Sequence, residues 1–223
     1  YFASMMVNEG DADAMITGYS RNYSSTIKPL FETIGMQDGV SRIAATNMML
    51  TKRGPMFLSD TTINIDPNAK QLAKITQLTS SVVKLFGMEP VVAMLSFSNF
   101  GASTSNNPKK IEEAVNILHK SNPSLIVDGP IQADFALNSE MLDDKFPFSL
   151  LAGKKTNTLV FPNLDSANIA YKMLKELNGV ESIGPIILGL KKPAHILQLG
   201  ASVDEMVNMA AVAVVDAQNK SKN

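Results

Sequence analysis

Four clusters of residues in this sequence carry groups that can bind or react. Residues 96–103 (SFSNFGAS) follow an apolar run directly. Small residues there would let backbone amides and hydroxyls reach phosphate or carbonyl oxygens. The segment reads equally as a polar strand-to-helix connection. Residues 17–28 combine several hydroxyls with Arg21 and Lys28, the makings of an anion pocket, although a surface loop is the simpler account. Asp128 and Asp134 lie six residues apart beyond a strand and could hold a metal. Helix capping and solvation explain them better. His195 stands near Lys191 and Lys192 and could serve as a base. No serine or cysteine lies beside it to be activated, so a structural role is the expectation. His119 falls late in a helix and is expected at the surface. No G-x-G-x-x-G, G-x-x-x-x-G-K-[ST] or G-x-S-x-G occurs, so the usual dinucleotide, P-loop and hydrolase fingerprints are all missing.

The elements that must position these groups follow from periodicity and punctuation. Residues 1–9 read as a helix closed by Gly10, and 27–34 as a second helix with Pro29 in its first turn. Residues 40–51 and 55–65 form an antiparallel pair across the turn at 52–54. Asp66 and Pro67 look like the cap and first position of a helix reaching Phe86. Strands and helices then alternate. Strands are expected at 91–97, 125–127, 158–161 and 183–188. The helices open at Asn107, at Asn163 or Asp165, and at Ser202, with a short helical segment before Leu142. Ser202 and Glu205 have the spacing of a capping box. Repeated strand-then-helix order predicts an α/β fold with a mostly parallel, doubly wound sheet. Its ligand groups then gather at the carboxyl ends of the strands.

The 223 residues suffice for one large or two small domains. A net charge of −1 argues against a dedicated nucleic-acid or anionic-membrane binder. The absence of cysteine excludes disulfides, thiolate zinc sites and a cysteine nucleophile, and fits a cytoplasmic setting. No apolar run reaches membrane-spanning length. The chain opens at Tyr1 in what reads as mid-helix, so a fragment of a longer protein is expected.

Six segments then stand in one familiar order: MVNEGDADAMITG, FLSDTTINIDPNAKQLA, PVVAMLSFSNFGAS, VDGPIQAD, LVFPNLDSANIAYKMLKEL and GPIILGLKKPAHIL. Together they resemble the phosphate acetyltransferase (phosphotransacetylase) family across essentially the whole chain, without that family's N-terminal third. Residues 98–101, 163–168, 193–197 and 214–218 are similar, more narrowly, to the phosphotransacetylase-like C-terminal domain of bacterial hybrid NADP-dependent malic enzymes.

The resemblance implies a two-lobed, isocitrate/isopropylmalate dehydrogenase-like fold. Residues 39–194 would make one α/β lobe, and residues 1–38 and 195–223 the remnant of the other. A cleft between them would bind acetyl-CoA or a related acyl-CoA. Its walls would be Thr17, Ser20, Arg21 and Lys28 on one side and Ser96, Asn99 and Gly101 on the other. Gly184, Pro185 and Gln198 would lie at the hinge. The resemblance further implies a regulatory, homo-oligomeric domain inhibited through acetyl-CoA. A separate malic domain of the same chain would carry NADP and a divalent metal (Mg or Mn). No cofactor or metal is expected on this fragment.

True phosphotransacetylases carry a Ser-Arg pair after the Lys-Pro turn, and Gln198-Leu199 stand at that position here. Leucine cannot supply the guanidinium's charge or its fork of donors. The family's other arginine, in the segment matching residues 24–29, is Lys28. No catalytic residue is therefore expected. Two alternatives stay open: an active phosphate acetyl- or butyryltransferase, and a purely structural oligomerisation module.

Overall fold

The computed structural model describes residues 1–20 and 22–221. Its centre is a six-stranded sheet in the order β5-β4-β6-β3-β2-β7. In chain order the strands are β2 (Ala44–Thr51), β3 (Gly54–Ser59), β4 (Val91–Leu95), β5 (Ile126–Ile131), β6 (Thr158–Val160) and β7 (Glu181–Leu188). β5, β4, β6 and β3 pair in parallel, and β2 alone runs against both of its neighbours. The sheet is thus mostly parallel, as the alternating pattern requires.

Both faces of the sheet are covered, and the pleat divides the core. Val92, Met94, Val127 and Val160 point to one side. There they meet Leu72 of α3 (Ala69–Leu85) and Ile111 and Leu118 of α4 (Asn106–Ser121). Leu58, Ala93, Leu95 and Leu159 point to the other. They meet Ala136 of α5 (Ala133–Leu137), Leu142 of α6 (Ser139–Lys145), and Ala167 and Tyr171 of α7 (Leu164–Asn178). Two buried faces explain why β4 reads as a continuous apolar run.

A second, two-stranded sheet pairs β1 (Met15–Gly18) in parallel with β8 (Ala194–Leu197). It packs with α1 (Phe2–Glu9) and α2 (Tyr23–Thr33) through Val7, Leu30, Ile34 and Ile196. α8 (Val203–Lys220) closes the chain and lays Met209 and Val212 against β7.

Several boundaries differ from the sequence reading. α2 starts at Tyr23, so Pro29 lies inside the helix rather than in its first turn. α3 is capped by Asn68, not Asp66: Asn68 accepts from the Gln71 amide at 3.0 Å, and Gln71 Oε1 accepts from the Asn68 amide at 2.9 Å. Three residues beyond Asp66 stands an alanine, which cannot complete that box. Asp66 instead receives Lys110 at 2.7 Å. Asp128, Gly129 and Pro130 belong to β5 itself. β5 is an edge strand, where the missing proline N–H leaves no ladder bond unmade. β8 is a strand to which the sequence reading assigned no element.

His195 is wholly buried. Its Nδ1 accepts from the Ile187 amide at 3.3 Å, leaving Nε2 to face Asp216 Oδ2 at 3.5 Å. Lys220 completes the cluster, 3.2 Å from Asp216 and donating to the Leu190 carbonyl at 3.1 Å. These contacts clamp α8 onto β7 and β8. His119, expected at the surface, is half-buried with Nε2 2.8 Å from the Val127 carbonyl.

Candidate functional site

The strand that carries Thr17 leads to the hinge residues. Thr17 pairs with Ile196, and Gly18 with Leu197, immediately before Gln198. Gly18 is obligatory there, because a Cβ would strike the Leu197 carbonyl. Gln198 then reaches across to α7 and donates Nε2–H to the Tyr171 hydroxyl at 2.7 Å. Gln198 and Gly184 share a narrow cavity of about 40 Å³ with Asn47, Tyr171, Ser182 and Glu205.

The polar walls of this cavity are built from bonded partners. Asn47, buried mid-strand in β2, donates to Ser182 at 3.1 Å and accepts from the Thr61 hydroxyl at 2.7 Å. Asn168 of α7 donates to the Thr61 carbonyl at 3.1 Å. Gly184 lies against β2, where a Cβ would stand 2.9 Å from the Thr46 carbonyl at a φ of +142°. Pro185 follows it as a buried residue of β7.

The acid in this cavity has its valences filled. Glu205 Oε1 binds Lys175 at 2.7 Å, Oε2 accepts from the Ser202 amide at 2.8 Å, and the Ser202 hydroxyl accepts from the Glu205 amide at 3.1 Å. Burial alone would push this carboxyl up, but Lys175 and Ser202 outweigh it and hold it below the usual glutamate range. A carboxylate so stabilised is a poor proton acceptor. The arrangement can seat a small polar group or a water. It offers neither an unpaired base nor an unpaired cation at Gln198.

The second expected wall lies at the carboxyl ends of β4 and β5. The α4 and α5 connections there leave toward opposite faces, which makes a ligand crevice. Asn99 is fully engaged across it: Oδ1 accepts from the Gln132 amide and Nδ2 donates to Gln132 Oε1, both at 2.7 Å. Gln132 also donates to the Phe97 carbonyl at 2.8 Å. Asn99 therefore shapes the loop rather than offering its own amide. The Ser96 hydroxyl is buried without a partner. Phe100 adopts a φ of +37° and packs its ring 5.0 Å from Phe146 and 5.1 Å from Phe148. Gly101 lines a different cavity, of about 220 Å³, with Glu112, His119 and Asp128.

The first wall is more open. Ser20 is exposed, and Lys28 pairs with Glu32 of its own helix at 3.7 Å with 70% of its side chain exposed. Arg21 lies outside the described residues. Behind this wall the Tyr23 hydroxyl is buried without a partner. Burial, and then the nearby Asp60 charge, push its pKa up, so it stays neutral. Asp60 accepts from the amides of Ala45, Thr62, Ile63 and Asn64. Burial still raises its pKa, against those bonds.

The structure thus gathers Gly184, Gln198 and the end of the Thr17 strand, and sets Gly101 in a separate cavity. It adds Asn47, Tyr171 and Lys175, which sequence reasoning missed. Only the spacing of Tyr171 and Lys175, one turn apart on α7, hinted at a shared face. Among the described residues no three or more histidine, aspartate or glutamate side chains are grouped to hold a metal ion. No described helix is long and apolar enough to cross a membrane.

Comparison with known proteins gives a consistent picture. A family described as phosphate acetyl/butaryl transferase matches residues 1–214. The chain is 39% identical over 218 residues to an NADP-dependent malic enzyme of Haemophilus influenzae, covering 98% of this chain and 29% of that protein. It is 36% identical over 218 residues to a phosphate acetyltransferase of Nitratidesulfovibrio vulgaris, covering 98% of this chain and 31% of that protein. A phosphotransacetylase structure from Streptococcus pyogenes superposes with a TM-score of 0.91 at 35% identity, over 100% of this chain and 67% of that one. The chain thus spans under a third of the curated relatives named here.

Proposed function

Because the chain belongs to the phosphate acetyl/butaryl transferase family, we propose that it is a regulatory phosphotransacetylase-like domain of an NADP-dependent malic enzyme. In this reading it binds acetyl-CoA or a related acyl-CoA without transferring the acyl group, and it helps assemble the enzyme in the cytoplasm. The observation that carries the reading is the Gln198–Tyr171 hydrogen bond beside the Lys175–Glu205 ion pair. Acetyl transfer to phosphate requires a phosphate oxygen to attack the thioester carbonyl while the C–S bond breaks and a thiolate leaves. A positioned cation must hold the developing charge, and losing one such donor costs about 10²–10³ in rate. At the position that resembles the family's Ser-Arg pair stand a bonded amide and an aliphatic side chain, Leu199, that is largely exposed. The loop that follows Ser96, exposed at Gly101 and Ala102, is suited to contact a ligand.

The similarity to malic enzymes supports the parentage. Oxidative decarboxylation of malate to pyruvate, with its NADP and divalent metal, would belong to a malic domain outside this chain. Those groups do not fit the residues here: no dinucleotide fingerprint occurs, and no described cluster offers three carboxylate or histidine ligands.

Calorimetric titration of the intact protein with acetyl-CoA tests the reading, alongside an assay for acetyl phosphate formed from acetyl-CoA and phosphate. Saturable binding without turnover is the expected pair of results; no binding at millimolar acetyl-CoA would refute it. The second reading, an active acyltransferase, is favoured by the 36% identity to a phosphate acetyltransferase. It predicts turnover that Lys28→Ala abolishes.

A further inference from the structure

α3, β7 and α8 do not close completely on one another. A cavity of about 270 Å³ remains between them, larger than the one around Gln198. It lies about three helical turns along α8 from Glu205, and the function proposed above makes no use of it. Its walls are of two kinds. Leu78, Val82 and Leu85 of α3, Ile186 of β7 and Val212 of α8 make an apolar side. Lys191, Asp216 and Lys220 make a polar end. Apolar walls with a few convergent polar groups are the usual form of a small-molecule site.

The charges decide what such a molecule carries. Asp216 Oδ2 already faces His195 at 3.5 Å and Lys220 at 3.2 Å, so its negative charge is met from within the protein. Lys220 is met only in part. Of the three donors of its ammonium, the Leu190 carbonyl takes one at 3.1 Å and Asp216 a second. Burial draws the Lys220 pKa down, and Asp216 opposes this. A further anionic acceptor at Nζ therefore favours the charged amine. Lys191 adds a second cation with 54% of its side chain exposed, and its partner Asp38, 3.5 Å away, is fully exposed and outside the cavity. Two lysines against one aspartate leave the lining one positive charge in excess. A phosphate dianion brings more charge than this end can meet and nothing to fill the apolar side. A monocarboxylate with a short branched or ring-bearing tail matches both. We propose that this cavity binds a small apolar monocarboxylate, its carboxylate on Lys220 and Lys191 and its tail against Leu78, Val82 and Val212. The bound molecule spans α3 and α8 and fastens the last helix to the sheet. The site is separate from the cavity around Gln198 and does not rest on the acyl-CoA reading.

The test titrates the intact protein with 4-methylpentanoate, followed by calorimetry and by the protein's methyl resonances. Saturable binding is expected. The resonances of Val82, Leu85 and Val212 should shift, while that of Leu159, in the core on the other face of the sheet, stays in place. 4-Methylpentanol and 4-methylpentylamine carry the same tail without the negative charge and should bind about tenfold more weakly or worse. Lys220→Met should cost about tenfold in affinity. Lys191→Gln, at an exposed position that keeps the fold, should cost about threefold. Val82 is half-buried, so Val82→Trp can fill the cavity from its rim and should abolish binding. Acetyl-CoA titration of Val82→Trp should match the wild type, which separates failure of this site from failure of the acyl-CoA site. No saturation by about 10 mM, equal binding of the alcohol, shifts at Leu159 instead of the three cavity residues, displacement by inorganic phosphate at equal concentration, or binding retained in Val82→Trp would each overturn the proposal.

Discussion

Glu205 could cap a helix or accept a proton, and its surroundings commit it to the first. Both oxygens are taken, one by Lys175 and one by the Ser202 amide. Glu205→Ala should therefore cost about 1 kcal/mol in chemical denaturation, the usual loss of a capping partner. Its effect on acetyl-CoA affinity should be small. Because its folded pKa is depressed, the stabilisation is present above the ordinary glutamate value. It is lost as pH falls through the lower folded pKa. A denaturation series from neutral pH to pH 3 should show the mutant and wild type converging at the acid end. Gly184→Ala is a harsher change. Its Cβ would press on the Thr46 carbonyl, and its φ of +142° is foreign to any other residue. A loss on the order of 2 kcal/mol or more is expected, with the Gln198 cavity deformed.

At the level of elements, α8 depends on one buried cluster. Asp216 has only 15% of its side chain exposed, between His195 and Lys220. Burial would push this carboxyl up, but His195 and Lys220 outweigh it and hold it below the usual range. Asp216→Ala leaves a buried imidazole and a half-buried ammonium facing each other, so a loss of about 2–3 kcal/mol is expected in urea melts. For the wild type, Asp216's stabilisation is present above the ordinary aspartate value and lost as pH falls through the lower folded pKa. Asp216→Asn should flatten the acid limb of the stability curve. The elements were legible in the sequence where a local rule was enough. Ser202 and Glu205 announced α8, the cap of α7 was narrowed to Asn163 or Asp165 and is Asn163, and the unalternating run at 91–95 marked a strand buried on both faces. They were illegible where a distant segment decides. Residues 194–197 become a strand only because β1, 179 residues earlier (Met15 against Ala194), lies alongside. The helix containing Pro29 starts a turn early because Ser25 and Thr26 both bond the Asn22 carbonyl.

The whole molecule joins a thick sheet to a thin one, and that inequality has consequences for the candidate site. β4 is buried along its full length between two helical layers, whereas every residue of β1 is half-exposed in a sheet of two strands. The same inequality explains why the site was only partly readable. Gly184 and Gln198 were found from the resemblance. Tyr171 and Lys175, which close the cavity around Gln198, come from α7, and although they share a face of that helix, no local spacing ties it to Gln198, 27 residues beyond Tyr171. Local stability follows burial and the number of flanking strands, so opening free energy should differ sharply between the two sheets. Native-state amide exchange should show β4 and β6 protected to nearly the global unfolding limit. Met15 to Gly18 and Ala194 to Leu197 should exchange at least tenfold faster. A ligand that contacts both the Ser96 loop and the segment leading to Gln198 can bind only when the thin sheet is docked, so it must shift that local equilibrium. Saturating acetyl-CoA should therefore slow exchange in β1 and β8 while leaving β4 unchanged. Uniform slowing across both sheets would mean that ligand merely raises global stability. No slowing in β1 and β8 would mean that this segment takes no part in sensing.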